Sequence, residues 1–163
     1  MMGIGRGVLA ALGGLVIAEL AGSVYMYRRT MIRCPGKANN ERTIKMSGTD
    51  WNRYMPMIED RKERFLAHSR EDVYLDSEDG LRLHATYFPE GDQKKTVICF
   101  HGYTSQGMSD YIGLSDYYQK RGFAMLLPDA RAHGASEGEY IGFGCLDRQD
   151  ALGWVRWAVE ELG

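Results

Sequence analysis

From Glu71 onward the chain consists of short apolar runs separated by turns. Hydrophobic and polar residues alternate on both sides of Asp79-Gly80. Alternation with a period of two indicates strands with one buried face, and an Asp-Gly pair favours a tight turn, so residues 71–88 are predicted to form an antiparallel hairpin. Two unbroken apolar runs follow, at residues 96–100 and 123–127. Each is typical of a strand that is covered on both faces.

Two helices complete this pattern. Residues 109–121 carry apolar side chains at helical spacing and end before Gly122. A last helix is predicted from Asp147, with an inward stripe of four apolar residues: Leu152, Val155, Val159 and Leu162. The order hairpin, strand, helix, strand, helix predicts an α/β domain over residues 71–163, with helices on both faces of its sheet. Because no strand follows the last helix, we expect an incomplete sheet and a longer parent protein.

The first thirty residues have a different pattern, without a polar face. Between Val8 and Tyr27 the only charged residue is Glu19. Twenty helical residues reach about 30 Å, the thickness of the hydrocarbon core of a bilayer. Residues 1–30 are therefore predicted to form a single-pass membrane anchor. The alternatives are a cleaved signal peptide, for which the span is long, and a helix of a soluble core, which would normally show a polar face.

Basic residues concentrate on the C-terminal side of this span. That asymmetry favours a cytoplasmic location for the domain, with an extracellular location as the alternative. The same residues could contact anionic headgroups, which makes membrane lipid a predicted partner. Residues 31–70 are interpreted as a basic linker followed by a helical segment that becomes regular near Pro56. The basic residues are Arg28, Arg29, Arg33, Lys37, Arg42 and Lys45.

Composition narrows the classes of function. The length of 163 residues suits one ordinary domain, and 44% hydrophobic with 26% charged residues is the globular range. A net charge of −2 without a basic, aromatic-rich stripe argues against nucleic acid as a partner. Cys34, Cys99 and Cys145 lie far apart, which indicates neither a disulfide framework nor a zinc site, and the latter two are expected to be packing residues. No metal site is predicted.

The first buried run ends abruptly in His101-Gly102-Tyr103. In an open α/β sheet, ligands bind beyond the carboxyl ends of the strands, which is where this tripeptide lies. Gly102 is expected to permit a sharp turn that presents the next peptide N–H to the crevice. A fixed N–H at that point can stabilise a developing oxyanion, an effect worth roughly 10²–10³ in rate. The alternative is an ordinary turn with a packed histidine.

A second motif follows the second buried run, "LPDARAHGASEGEYIGFG" at residues 127–144. Together with "FHGYTS" at residues 100–105, it resembles the α/β-hydrolase superfamily, in particular membrane-anchored bacterial serine hydrolases related to S9/S33-type peptidases and lysophospholipase-like esterases. The resemblance covers about residues 71–163 and implies the N-terminal part of an α/β-hydrolase sheet. It implies that the Tyr103 backbone N–H contributes to an oxyanion hole. It also implies residues that structure the loops near the site: His101, Gly102, Asp129, Arg131, His133 and Gly134. Ala132 departs from the glycine that is more common in the superfamily.

Two residues in the second motif invite a catalytic interpretation. Ser136 satisfies G-x-S-x-G in letters, but a nucleophile elbow joins the end of a strand directly to a helix, and Pro128 ends the strand eight residues earlier. Ser136 is therefore predicted not to be the nucleophile. His133 comes too early for the triad order of serine, acid and histidine, so we expect it to brace its loop. His68 and His84 are expected on exposed surfaces.

These observations predict a serine hydrolase that cleaves an ester, thioester or peptide bond by acyl transfer, without a cofactor. Its partner would be a small-molecule or peptide acyl substrate. The nucleophile, acid and base are expected after Gly163, so the chain alone would be inactive. The alternative is a non-enzymatic, membrane-anchored binding module that keeps the hydrolase fold. The sequence does not indicate an oligomeric state.

Overall fold

The computed structural model describes residues 2–33, 50–90, 92–103 and 105–163. The chain divides into two compact units, Met1–Ile32 and Arg33–Gly163. The predicted basic linker, with Lys37, Arg42 and Lys45, lies mostly outside the described residues. The predicted division of residues 31–163 into a linker segment (31–70) and a domain (71–163) stays a prediction.

The first unit is a single helix, α1 (Met2–Met31). Within it, the 25 residues from Gly7 to Met31 are long and apolar enough to cross a membrane, and none of the span is buried. A core helix of a soluble domain would be mostly buried. A membrane anchor and a signal sequence share these properties, and the orientation of the span stays a prediction.

The second unit contains one four-stranded sheet. Its strands are β1 (Glu71–Asp76), β2 (Arg82–Phe88), β3 (Asp92–Ile98) and β4 (Phe123–Pro128), arranged in the order β1-β2-β4-β3. The predicted hairpin is confirmed, since β1 and β2 pair antiparallel across the Asp-Gly turn. β4 pairs antiparallel with β2 and parallel with β3. Among the strands that the structure describes, β3 pairs only with β4.

Helices cover both faces of the sheet, as predicted. They are α2 (Met55–Ala67), α3 (Gly107–Gln119) and α4 (Asp147–Leu162), and a short 3₁₀ helix, Trp51–Arg53, precedes α2. On one face, Trp154 of α4 packs against a cluster from β2 and β4: Leu83, Ala85, Tyr87, Ala124 and Leu126. On the other face, Phe65 of α2 stacks on Phe88 with the ring centroids 4.4 Å apart. Met108, Tyr111 and Ile112 of α3 join this second cluster.

The predicted inward stripe of α4 is wrong for three of its four members. Leu152, Val155 and Val159 are 50%, 46% and 66% exposed, whereas Trp154 is 1% exposed. Leu162 alone of the predicted stripe packs against the core. The helix is rotated because Trp154 buries more apolar area than a valine, and because Asp150 on the same face pairs with a buried arginine, Arg131.

The two described cysteines have different environments. Cys99 is buried directly after β3, and burial raises the pKa of its thiol to about 11, which suits a packing residue. Cys145 is exposed, which contradicts its predicted packing role. It lies in the loop that precedes α4, where its backbone N–H donates to the Gly142 carbonyl at 3.0 Å.

Candidate active site

The loops after β3 and β4 lie side by side, because parallel strands place their carboxyl ends at the same edge of a sheet. His101 joins them. Its Nε2 accepts a hydrogen bond of 3.0 Å from the Ala130 N–H, and its Nδ1–H donates to the Gly102 carbonyl at 2.8 Å. This pair of bonds requires a neutral imidazole protonated at Nδ1. The edge of the His101 ring also packs against His133, with the centroids 4.9 Å apart.

Asp110, in the first turn of α3, holds the turn after His101. The Gly102 N–H donates to Asp110 Oδ2 at 2.8 Å, and the Ser105 hydroxyl contacts Oδ1 of the same carboxylate. The φ angle of Gly102 is not positive, and a Cβ there would meet Asp110 Oδ2 at 3.7 Å, an ordinary contact. The turn therefore follows from the contacts of Asp110, and the expected need for the conformational freedom of glycine is absent.

Tyr103 is about half exposed, and its ring lies 5.0 Å from that of Phe143, tilted by 32°. Phe143 has a φ angle of +46°, a left-handed conformation that costs a bulky residue roughly 1–2 kcal/mol. Asp147 holds it there by accepting a hydrogen bond of 3.0 Å from the Gly144 N–H. Sequence reasoning missed Phe143, although the glycines on both of its sides were a signal. The oxyanion role of the Tyr103 N–H stays a prediction.

The loop after β4 folds around the carboxylate of Asp129. The Ala135 N–H donates to Asp129 Oδ2 at 3.0 Å, and His84 Nδ1 lies 2.8 Å from the same oxygen. Burial raises the pKa of Asp129, but these hydrogen bonds outweigh it, so the pKa lies below its usual value. Gly134 has a φ angle of +47°, and a Cβ there would overlap the Asp129 carboxylate. The loop thus needs glycine at this position.

Ala132 occupies a left-handed conformation, with a φ angle of +61°. Its backbone N–H donates to the Glu137 carbonyl at 2.9 Å, which holds the turn closed. Glycine adopts this conformation without the steric cost that alanine incurs. The geometry therefore gives a physical reason why glycine would suit this position better than the alanine that this sequence carries.

Arg131 joins the loop after β4 to two other elements. Its guanidinium binds Asp150 of α4 at 2.7 and 2.8 Å, and Asp79 of the hairpin turn at 2.8 and 3.1 Å. The hydrogen bond from Arg131 lowers the pKa of Asp79 to about 2. Arg131 is buried, so its charge is committed to these two carboxylates and to that of Asp147, which lies 3.8 Å from its Nε. The geometry suits a residue that orders the loop.

His133 is buried behind His101. Its Nδ1–H donates to the Arg131 carbonyl at 2.9 Å, and burial lowers its pKa, which favours the neutral ring. Within the described part of the chain, no donor reaches its Nε2. These contacts belong to a ring packed under the loop after β4. Its predicted bracing role remains a prediction.

Ser136 is fully buried and bonds to backbone on two sides. Its hydroxyl donates to the Asp129 carbonyl at 2.6 Å and accepts from the His84 N–H at 2.8 Å. Ser136, His84 and Asp129 are thus neighbours, a proximity that sequence reasoning missed. The His84 ring, however, faces two carboxylates: Asp129 at 2.8 Å and Asp72 at 3.0 Å. The arrangement therefore lacks the bond between nucleophile and base that activates a serine.

The expectation that His84 is exposed is wrong, because the residue is 8% exposed. The alternating pattern of β2 placed His84 on the wet side of the hairpin. The loop after β4 covers that side, and a strand pattern contains no sign of such a cover. His68 is partly exposed, and its Nδ1 contacts Glu90.

Comparisons with known proteins agree with this architecture. No protein-family model matches the chain. The esterase Pf2001 of Pyrococcus furiosus is 33% identical with a TM-score of 0.52, over 58% of this chain and 36% of that one. An α/β-hydrolase from Vibrio vulnificus is 24% identical with a TM-score of 0.48, over 60% of this chain and 34% of that one.

Among curated proteins, the polyketide transferase ATR5 of Stachybotrys chlorohalonatus is 32% identical over 81 residues, which are 50% of this chain and 27% of that protein. The chain thus spans about a third of the length of the esterase and about a quarter of the transferase. The mixed sheet with helices on both faces is shared with the esterase at the level of fold. The domain described here, an antiparallel hairpin followed by parallel strands with flanking helices, has the fold of the N-terminal part of an α/β-hydrolase sheet.

Proposed function

We propose that this chain supplies the N-terminal part of the catalytic domain of a serine hydrolase, which cleaves an ester, thioester or peptide bond by acyl transfer. One observation carries the proposal. His101 ties together the loops after β3 and β4 at the sheet edge where α/β folds bind ligands, in a domain that is 33% identical to an esterase over the matched region.

In the proposed reaction, a serine oxygen attacks the acyl carbon of the substrate. The base takes the proton of that hydroxyl and passes it to the alcohol, thiol or amine that leaves as the acyl–leaving-group bond breaks. Water, deprotonated by the same base, then attacks the acyl-enzyme, which releases the acid and returns the proton to the serine. The Tyr103 backbone N–H stabilises the oxyanion that forms on the acyl oxygen. His101 orients that peptide by donating to its carbonyl, that of Gly102, and Asp110 holds the preceding peptide by accepting from the Gly102 N–H. The nucleophile is proposed to follow a further strand that pairs with β3 on the side away from β4, and the acid and base are proposed to come later in the chain.

Reaction of the full-length protein with a fluorophosphonate probe tests this function. Wild type should be labelled, and Tyr103→Phe, which keeps the backbone N–H, should be labelled at a similar rate. Tyr103→Pro removes that N–H and should slow labelling roughly 10²–10³-fold. Near-UV circular dichroism of both variants checks that the loop change leaves the domain folded. A folded wild type that is not labelled would favour a non-enzymatic binding module.

We further propose that α1 is a retained membrane anchor, with the domain on the cytoplasmic side. The full-length protein should stay in the membrane pellet after alkaline carbonate and high-salt washes. Release by salt alone would contradict an integral span. Protease added outside intact cells should leave the domain intact, and digestion there would reverse the proposed orientation.

A further inference from the structure

His84 connects three parts of the domain through one buried ring. The residue lies on β2, and its ring nitrogens contact Asp129 in the loop after β4 and Asp72 on β1. Two carboxylates cannot both accept from a neutral imidazole, since that ring has one N–H. Both contacts are satisfied only when His84 carries a proton on each nitrogen. The geometry therefore favours an imidazolium between two carboxylates.

The contact of His84 with Asp129 leads to the peptide group between Asp129 and Ala130, which makes hydrogen bonds on both of its sides. The carbonyl of Asp129 accepts from the Ser136 hydroxyl at 2.6 Å, and the N–H on the other side of that peptide bond, of Ala130, donates to His101 Nε2 at 3.0 Å. The backbone N–H of Asp129 donates in turn to the His84 carbonyl at 2.9 Å. Rotation of Asp129 would therefore move the donor that holds His101. His101 is bonded to the carbonyl of Gly102, directly before Tyr103.

We propose that protonated His84 is a positioning residue, which through Asp129 and His101 fixes the loop that carries the Tyr103 N–H and so makes the activity depend on pH. The inference rests on the proposed function, because it assigns a regulation to the same site. His84 itself contacts neither the substrate nor the reacting atoms. Its effect is transmitted through the contact of His84 with Asp129, the hydrogen bond of Ala130 to His101 and that of His101 to Gly102, which link β2 to the loop after β3.

The charges around His84 set the direction of the pH effect. The hydrogen bond with Asp129, against the opposing effect of burial and with help from Asp72, raises the pKa of His84 above 6.5. The bridge is therefore complete below pH 6.5 and is lost as the pH rises through the raised pKa. The titratable and charged groups that face this ring and its partners are Asp72, Tyr74, Arg82, Asp129, Glu137, His101 and His133.

Nuclear magnetic resonance of the full-length protein in detergent micelles tests the coupling without catalysis. The amide signals of Ala130 and Tyr103 should shift with the same midpoint as the His84 ring. Replacing His84 by glutamine should remove that midpoint from both amides. His68→Gln changes another histidine that contacts a carboxylate, far along the chain from these loops, and should leave the midpoint unchanged. If the amide shifts of Ala130 and Tyr103 do not change as the His84 ring titrates, the proposal is wrong.

The rate of fluorophosphonate labelling supplies the second readout. In wild type the labelling rate should fall as the pH rises, with the same midpoint as the titration of the His84 ring. His84→Gln should be labelled about tenfold more slowly, the scale of a small misplacement of catalytic groups, and its rate should not show this fall. The Asp72 side chain is 68% exposed, so Asp72→Asn should disturb the fold less than His84→Gln does. It should move the midpoints of the His84 ring, the two amides and the labelling rate together to lower pH. A rate midpoint that stays in place in Asp72→Asn while the ring midpoint moves would contradict the proposal. If the amides follow His84 but wild type is never labelled, the proposed function fails and this inference fails with it.

Discussion

Left-handed backbone conformations recur in the loop after β4, and specific partners hold the chain at those residues. Gly134 lies against the Asp129 carboxylate with a φ angle of +47°, and Ala132 at +61° bonds to the Glu137 carbonyl. The sequence contains the glycines and acids that make this possible. It does not show which acid accepts from which N–H, because those contacts span a loop without periodicity. His84 was missed for the same reason.

Gly134→Ala should be strongly destabilising, by about 3 kcal/mol or more, because the new methyl group displaces Asp129 in addition to the cost of the left-handed conformation. Gly80→Ala is the matched control. Gly80 has a φ angle of +85° but open space around it, so Gly80→Ala should lower the free energy of unfolding by only about 1 kcal/mol. Urea unfolding of the full chain, followed by near-UV circular dichroism, compares the two. Equal losses would mean that the Asp129 carboxylate does not confine residue 134.

Arg131 was predicted from the motif as a loop-structuring residue, and its partners are visible only in the fold. Arg131→Met should cost about 3–5 kcal/mol, since it leaves Asp150 buried without a countercharge. Arg156→Met removes an exposed arginine that lies 3.8 Å from Glu78, and should cost less than about 1 kcal/mol. The same urea titration measures both. A loss for Arg131→Met as small as for the control would remove the buried network from the account.

At the scale of elements, the hairpin and the two parallel strands β3 and β4 were predictable, because alternation and apolar runs report burial directly. The start of β3 was not, since its first residues are polar and pair with β4 across an irregular register. The phase of α4 was also mispredicted. Val, Leu and Trp all count as apolar in a helical pattern, and the pattern does not say that Arg131 will fix Asp150 inward.

The corrected phase of α4 makes a direct prediction. Trp154→Ala should cost about 3–5 kcal/mol, because it empties a fully buried position under the sheet. Val159→Ser, on the face that sequence reasoning had turned inward, should cost less than about 0.5 kcal/mol. Thermal unfolding of the two variants gives the comparison. A large loss of stability for Val159→Ser with a small loss for Trp154→Ala would mean that the face of α4 predicted from the sequence is the buried one.

At the scale of the whole molecule, two features were predictable from sequence alone. One is an apolar N-terminal span, and the other is the order of strands and helices that resembles an α/β-hydrolase. The hydrogen-bond network that joins the loops after β3 and β4 was not predictable from the sequence. It depends on bonds between residues about thirty to fifty positions apart, such as His101 with Ala130 and His84 with Ser136. That network is the basis of the central proposal, that this chain provides the oxyanion side of a serine hydrolase and that Ser136 is a structural residue.

Mapping the residue that a fluorophosphonate probe modifies in the full-length protein tests this claim most directly. Ser136 is buried and its hydroxyl bonds to backbone groups of His84 and Asp129, so we predict that the labelled peptide lies outside residues 127–144 and that Ser136→Ala is still labelled. A parallel unfolding measurement should show only the modest loss expected from leaving the His84 N–H without its partner. A probe adduct on Ser136, abolished by Ser136→Ala in a folded protein, would contradict the account and place the nucleophile in the loop after β4.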